Sequence, residues 1–348
     1  MTLTELSYYS RRFAPFGVLL FLVFLLFYYA IRLLFVFVDV KKPTTLRLDT
    51  KFGKINEIQI PETTPSSGLT FTLDTVEGAP VTASAAARVI FIPPTSTSFG
   101  YREKIILMAK NLGFDTDSVE YKLTDREAVF DDGKQKFSVD ISNFNFTYEY
   151  FFDQEPEIFG NTREIERSDG ESRAIDFLRS LGSYPDELTM GKTNTVFMYY
   201  NPEDRTISPL EASANSNMVE VDFYRPEIDT VPIVTSKYFN SQNFVVLTDT
   251  ERGIKVLRAQ VRFFEKSDSQ VGIYPLKTGK QAYDALTAGR GFVVSNPVKD
   301  TNITIRRMFL GYYDPDLYLE YLQPVYVFLG DNNFVAYVSA VSDEYLAK

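Results

Sequence analysis

The sequence predicts an α+β fold: an N-terminal transmembrane helix, then repeated units of a short helix packed on an antiparallel sheet. Three observations lead there. Phe16 to Val38 is apolar apart from Arg32. Three later stretches carry apolar residues at helical spacing and end in glycine. Each is followed by runs of β-branched and aromatic residues broken by turn signals.

The apolar stretch comes first, after an N-terminal tail of residues 1–15. At about 1.5 Å per residue, residues 16–38 reach roughly 34 Å, enough to cross a hydrocarbon core with slight tilt. A buried helix of a globular protein would carry a polar face, and Phe16 to Ile31 has none. The stretch is longer than a signal-peptide core, and Phe35-Val36-Phe37-Val38-Asp39 offers no small-x-small cleavage site, so the span is expected to be retained. Arg32 has two readings. Its guanidinium snorkels to the nearer headgroups, or it pairs with a carboxylate in a partner's membrane helix.

Residues 39–68 carry Pro43, Pro61 and Pro65 among Thr and Ser clusters and read as a linker with at most one short strand, Ile55 to Ile60. Leu69 to Val76 alternates with period two, the mark of a half-buried strand, and Arg88 to Ile92 is a second strand stopped by Pro93 and Pro94. The first helical unit places Ile105, Met108, Ala109 and Leu112 before Gly113. The second places Ala174, Phe177, Leu178 and Leu181 before Gly182, and a weaker third places Ala282, Ala285 and Leu286 before Gly289. Ser168 with Glu171, and Thr278 with Gln281, have capping-box spacing.

Strands follow each helix, ending in a hairpin that pairs Pro324 to Leu329 with Phe334 to Val341 across Gly330 to Asn333. Recurrence of helix, glycine and strands predicts repetition. Charged residues, Pro and Gly interrupt the apolar pattern from Asp153 to Asp169. The expected layout is therefore a proximal α+β domain, 69–152, and a distal one, 165–348, with two helix-plus-sheet repeats.

Composition excludes whole classes of chemistry. Across 348 residues, 46 acidic against 36 basic side chains give a net charge of -10, which argues against a nucleic-acid partner because phosphate neutralisation needs a basic surface. Cys and His are both absent. That removes disulfides, thiolate nucleophiles, His-dependent triads and the usual zinc ligand sets. No catalytic residue, cofactor or metal is expected, and carboxylate, Lys, Tyr and backbone chemistry remain.

Several motifs offer such groups. Gly191-Lys192-Thr193 ends like a phosphate loop, but Asp186 stands where the first glycine is needed. Asp115-Thr-Asp117 and Asp314-Pro-Asp316 each offer two oxygens to calcium without continuing into an EF-hand loop, so loop solvation is the expectation. The best carboxylate cluster is Asp222-Phe-Tyr-Arg-Pro-Glu-Ile-Asp229, with Asp222 expected to form an edge-strand ion pair with Arg225. Tyr312, Tyr313, Tyr318 and Tyr321 bracket the Asp314-Pro315 turn. They form either an aromatic contact surface or ordinary sheet packing. With Arg32 they are the partner-contact candidates.

Ile305 to Pro315, Tyr321 to Phe328 and Phe334 to Val341 together resemble the terminal repeat of the YycH/YycI regulators. They are similar also to uncharacterised single-span proteins of small-genome bacteria that end in such a hairpin. The first resemblance implies a single-span bacterial protein whose extracytoplasmic helix-plus-sheet domains regulate a cell-wall sensor kinase through the membrane, with no catalytic residue to carry over. Arg11 and Arg12 before the span, against Lys41, Lys42 and Arg47 after it, do not by themselves place the N-terminus inside. With the resemblance, the folded part is expected outside the cytoplasm. The sequence thus points to a non-enzymatic membrane-anchored module that binds another envelope or membrane protein. The alternatives are a structural subunit of a cell-envelope assembly and a carboxylate-based enzyme acting on envelope glycan through Asp222 and Asp229.

Overall fold

The structure, a computed structural model, describes residues 16, 19–32, 47–61, 63–118 and 121–347. The chain divides into an N-terminal unit, Met1–Arg47, and a compact unit, Leu48–Lys348. In the first, residues 19–32 are α-helical (α1). That is roughly 21 Å of helix against a hydrocarbon core of about 30 Å, and no helix among the described residues is long and apolar enough to cross a membrane. The rest of the expected span, 17–18 and 33–38, lies outside the described residues, as does the 1–15 tail.

The compact unit is a mixed α+β structure dominated by sheets. In chain order it begins with β1 (Ile55–Asn56), β2 (Thr64–Pro65), β3 (Thr70–Leu73) and β4 (Ala86–Phe91). Helix α2 (Tyr101–Asn111) leads into β5 (Lys122–Leu123), β6 (Glu127–Asp131), β7 (Gln135–Asp140) and β8 (Phe146–Tyr150). After α3 (Arg167–Ser180) and the one-turn α4 (Asp186–Thr189) come β9 (Lys192–Asn201), β10 (Thr206–Leu210), β11 (Met218–Tyr224), β12 (Ile233–Thr235), β13 (Phe244–Thr250) and β14 (Gly253–Val261). The chain closes with β15 (Val271–Pro275), α5 (Gly279–Ala285), β16 (Phe292–Ser295), β17 (Asn302–Asp314), β18 (Tyr321–Gly330), β19 (Val335–Ser339) and β20 (Leu346–Ala347).

These strands form two large sheets, each the centre of a lobe. Lobe one has the order β10-β9-β11-β13-β14-β8-β7-β6-β5, antiparallel throughout. It consists of the meander β5–β8 and an antiparallel set of β9–β11, β13 and β14, each preceded by a helix, joined where β14 pairs β8 through Arg258↔Glu149 and Val261↔Phe146. Helix α2 buries Ile105, Met108 and Ala109, and α3 buries Ala174 and Leu178, in one core with Phe130, Phe137, Phe146, Val219, Val221 and Phe223. Both helices end as their glycines predict, with Gly113 at φ 87° and Gly182 at φ 62°. Asn111 Nδ2 donates to Ser180 O at 2.6 Å, tying the two helix ends together.

Lobe two follows the path β12-β17-β18-β19-β16-β2, with β3 also on β17 and β4 bridging β18 to β15. The terminal hairpin has the predicted pairing, from Val325↔Ser339 to Leu329↔Val335. Helix α5 starts in the predicted capping box, Thr278 Oγ1 accepting from Gln281 N and Gln281 Oε1 accepting from Thr278 N at 2.7 Å. Here the third unit departs from the other two, because its first strand, β16, pairs with its last, β19.

Several sequence expectations are corrected. The 39–68 linker is not free chain over its described part: Ile55, Ile58, Ile60 and Ser66 are buried, β1 pairs β20 and β2 pairs β16. Ser168 does not cap α3, which starts two residues earlier behind Glu166, and Glu171 instead accepts from Thr195 Oγ1 at 2.9 Å. The 153–169 interruption does not separate sheets, since β5–β8 and β9–β14 lie in one sheet. β3 and β4, expected in the proximal domain, belong to lobe two. The physical reason is nesting: lobe one is an insertion between β4 and β15, and sequence neighbours on either side of it pair with each other.

Candidate functional site

The lobes meet over the face of sheet one that the helices leave open. Period-two alternation on β11 turns Val219, Val221 and Phe223 to the helices and Glu220, Asp222 and Tyr224 to this other face. Asp222 is fully buried there, accepting from Ser241 N at 3.2 Å and Asn194 Nδ2 at 3.4 Å. Burial first, and then the charge of Glu220, pushes its carboxyl up to about 7; burial also raises Glu220.

Arg225, just past the end of β11, points across the lobe junction. Its side chain is fully buried, with Nε 3.0 Å from Asp314 Oδ1 and Nη1 3.4 Å from Glu187 Oε2. Nη2 donates to the Phe264 carbonyl, and the guanidinium lies 4.0 Å from the centre of the Phe263 ring. Lys266 holds the other Glu187 oxygen at 2.8 Å. Burial pushes the Asp314 carboxyl up to about 6 despite Arg225 beside it. The expected Asp222–Arg225 pair is therefore replaced by Arg225–Asp314, and β11 is a central strand rather than an edge.

Two cavities open along the junction, of about 1050 Å³ and 560 Å³, and share Arg262, Asp316 and Leu317. The larger is walled by the Thr124–Glu127 and Asp140–Asn145 turns, with Phe264 and Tyr318 on the far side. The smaller lies under the 235–242 segment beside Glu220 and Gln260. Arg262 donates to Thr147 Oγ1 at 3.0 Å, while burial lowers its pKa against the charges of Asp140, Asp316 and Glu127. Asp140 Oδ1 accepts from Ser142 N at 2.7 Å, and Glu127 Oε2 accepts from Ser138 Oγ at 2.7 Å.

The predicted site residues scatter. Asp229 pairs with Arg88 at 2.9 Å beside a separate cavity of about 250 Å³, so it shares no cleft with Asp222. Tyr312, Tyr313 and Tyr321 are interior and do not form a contact surface. Long apolar side chains close over both sides of β17 and β18, leaving these rings no outlet. Tyr312 Oη accepts from Arg88 N at 3.2 Å and Tyr321 Oη donates to Glu320 Oε1 at 3.1 Å. Of the four, only Tyr318 is exposed, with Oη donating to Ile92 O at 3.0 Å. Arg32 is the last described residue of α1 and is exposed.

Asp115 is a turn cap, accepting from Asp117 N at 3.2 Å and Ser118 Oγ at 2.7 Å. Among the described residues no three acids converge to hold a metal ion. Gly191 is needed for close approach instead of phosphate: a Cβ there would sit 1.7 Å from Tyr224 O. Arg262, Asn145 and Gln242 went unnoticed in the sequence. A lone arginine between Val261 and Phe263 was the available signal.

No family model and no curated protein matches the chain. Among solved structures, an uncharacterized protein from Eubacterium rectale is 12% identical with a TM-score of 0.37, over 78% of this chain and 89% of that one. The Bacillus megaterium YpeB C-terminal domain is 12% identical with a TM-score of 0.27, over 72% of this chain and 95% of that one. At these scores neither likeness bears on function.

Proposed function

We propose that this chain is a non-enzymatic module attached to a membrane through residues 16–38, with its compact unit outside the cytoplasm, binding and regulating another envelope protein such as a sensor kinase. The observation that carries this reading is how the chain leaving the apolar stretch enters the compact unit. β1, β2 and β3 pair with β20, β16 and β17, so it is woven into the lobe that contains the regulator-like residues 302–341. We further propose that the two helix-plus-sheet halves of lobe one are repeats of one unit.

The carboxylate placements support binding over bond breaking. A glycan-cleaving pair needs two accessible carboxyls about 5 to 9.5 Å apart in one cleft. Asp222 is sealed beneath Ser241 and Asn194, and Asp229 lines a different cavity with Arg88. The test is photo-crosslinking in native membranes from positions 32 and 318, followed by recovery of the adducts. A single membrane protein recovered in stoichiometric amount supports the reading, and reproducible recovery of none overturns it. Protease shaving of intact cells tests the orientation, and survival of residues 48–348 places the unit in the cytoplasm.

A further inference from the structure

We propose that residues 342–347 are a displaceable strap that fills, in cis, a docking site for an extended peptide segment carrying an acid and, three positions later, an apolar side chain. The receiving side is fixed by the body of lobe two. Lys277 N donates to Ala340 O at 2.8 Å, Lys277 O accepts from Tyr326 Oη at 2.8 Å, and Leu276 bridges to Val341. The buried Lys277 Nζ donates to Ser339 O at 3.0 Å and to Val341 O at 2.6 Å. An ammonium has three donors, and the third serves the strap, with Asp343 Oδ1 at 2.8 Å. Asp343 Oδ2 also lies 3.4 Å from Arg290 Nη1, and among the described residues no other carboxylate pairs with either cation. Three positions on, Leu346 is buried among Ile55, Val89, Tyr274, Tyr321 and Val341, and the backbone adds the parallel pairs Ile55↔Leu346 and Asn56↔Ala347.

The strap itself is lightly held. β1 and β20 form a sheet of their own, so lifting the strap breaks no ladder of either large sheet. Its other holds are Ser342 N donating to Pro275 O at 3.0 Å, Tyr345 edge-on to Tyr274 with ring centres 5.8 Å apart, and two ion pairs made by an Asp343 side chain that is 60% exposed. A short segment with one buried side chain and solvent-facing charge opens locally at far lower cost than the sheets behind it. What it uncovers is complementary to a peptide. Lys277 keeps its two carbonyls and loses its counter-charge, while Arg290 and Glu57 line the adjoining cavity of about 680 Å³ with Ile60, Pro65 and Phe292. Two cations against one acid favour a carboxylate over a basic group. The freed edge of β1 and the vacated leucine socket favour an extended chain bound by strand addition, for which Asp343-Glu-Tyr-Leu346 is the template.

The source of such a segment, an envelope partner, rests on the function proposed above, while the site and its strap stand apart from it. Hydrogen exchange on the full chain in lipid nanodiscs tests the strap: amides of 345–347 and 55–56 should exchange about a hundredfold or more faster than those of β18 and β19, and equal protection overturns the proposal. Fluorescence polarisation with a labelled Ser-Asp-Glu-Tyr-Leu-Ala peptide, the sequence of 342–347, tests the site. A full chain whose strap is disabled by Asp343→Asn together with Leu346→Ser should bind the peptide saturably. The natural chain should bind it about tenfold or more weakly, because the tethered segment competes at high effective concentration. Peptides carrying Asp343→Asn or Leu346→Ser should each bind the disabled chain about tenfold or more weakly than the natural peptide. Should the double variant fail to fold, Leu346→Ser alone takes its place. Absence of saturable binding to the disabled chain overturns the proposal, as do equal affinities of the natural and disabled chains and indifference to either peptide change. Failure to crosslink a protein partner would remove the source of the segment and leave each of these results as it stands.

Discussion

Arg225 and Asp314 lie 3.0 Å apart with both side chains buried, one at the end of a central strand of lobe one and the other at the end of β17 in lobe two. This contact joins two sheets beside an apolar cluster in which Ile228 and Phe264 pack against Ile90, Ile92, Tyr312 and Leu322. The main backbone link beside it is β12, which leaves lobe one to pair in parallel with β17 through Ile233↔Tyr312 and Thr235↔Asp314.

Removing one partner strands the other charge. Arg225→Met is expected to cost about 3–5 kcal/mol, read as a lower urea midpoint. Combining it with Asp314→Leu should recover most of that loss, since an apolar pair of similar volume needs no solvation. A double variant no more stable than Arg225→Met would show that the pair matters through geometry instead of charge.

Acid should stabilise the compact unit before it unfolds it. The carboxyl of Asp222 is raised from 3.8 to about 7 in the folded state, so between about pH 4 and 7 the folded chain holds a proton that the unfolded chain has lost. Stability therefore falls as pH rises through that window and levels off above it. Asp314 adds a contribution of the same sign between about pH 4 and 6. Asp222→Asn should flatten the slope and, above pH 7, add about 1–3 kcal/mol of stability in urea titrations. An unchanged slope would place the titrating group elsewhere.

Two capping signals of the same spacing should behave differently. Thr278→Ala loses a formed capping box and is expected to cost about 1 kcal/mol, whereas Ser168→Ala should stay within about 0.5 kcal/mol of the natural chain. Thermal midpoints of the two variants compare them directly.

Gly191→Ala drives a methyl group into the Tyr224 carbonyl, next to Asp222 and Arg225. The backbone has no flexible side chain to yield there, so a loss of about 3 kcal/mol or more is expected. Lys192→Ala, which removes only an exposed pair with Glu227, should cost under about 1 kcal/mol.

Local patterns were readable because they depend on neighbours in sequence. The stripe Ile105, Met108, Ala109 and the glycines at 113 and 182 needed only the helical repeat, and the terminal hairpin needed only alternation and a turn. What escaped was set by distant pairing. Nothing local to Thr64-Pro65 or Val271 to Pro275 says that these residues join strands some 180 to 230 positions away, as β16–β2 and β15–β4 do. The cleft was missed for the same reason: Asn145, Gln242, Arg262 and Asp316 come from four separate loops and strands. The tyrosines misled because an aromatic beside a turn looks alike whether the turn faces outward or is roofed by another sheet.

The nested order of the strands also sets a timetable for the ribosome. β3 and β4 emerge early, but their partners in β15, β17 and β18 are synthesised only after some 180 to 230 further residues, a wait of roughly 9–46 s at about 5–20 residues per second. Lobe one, whose partners are all within its own stretch of chain apart from β12, can condense in that interval. Until the last hairpin arrives, the early strands present unpaired edges, and a holdase that shields Thr70 to Phe91 would act in that window.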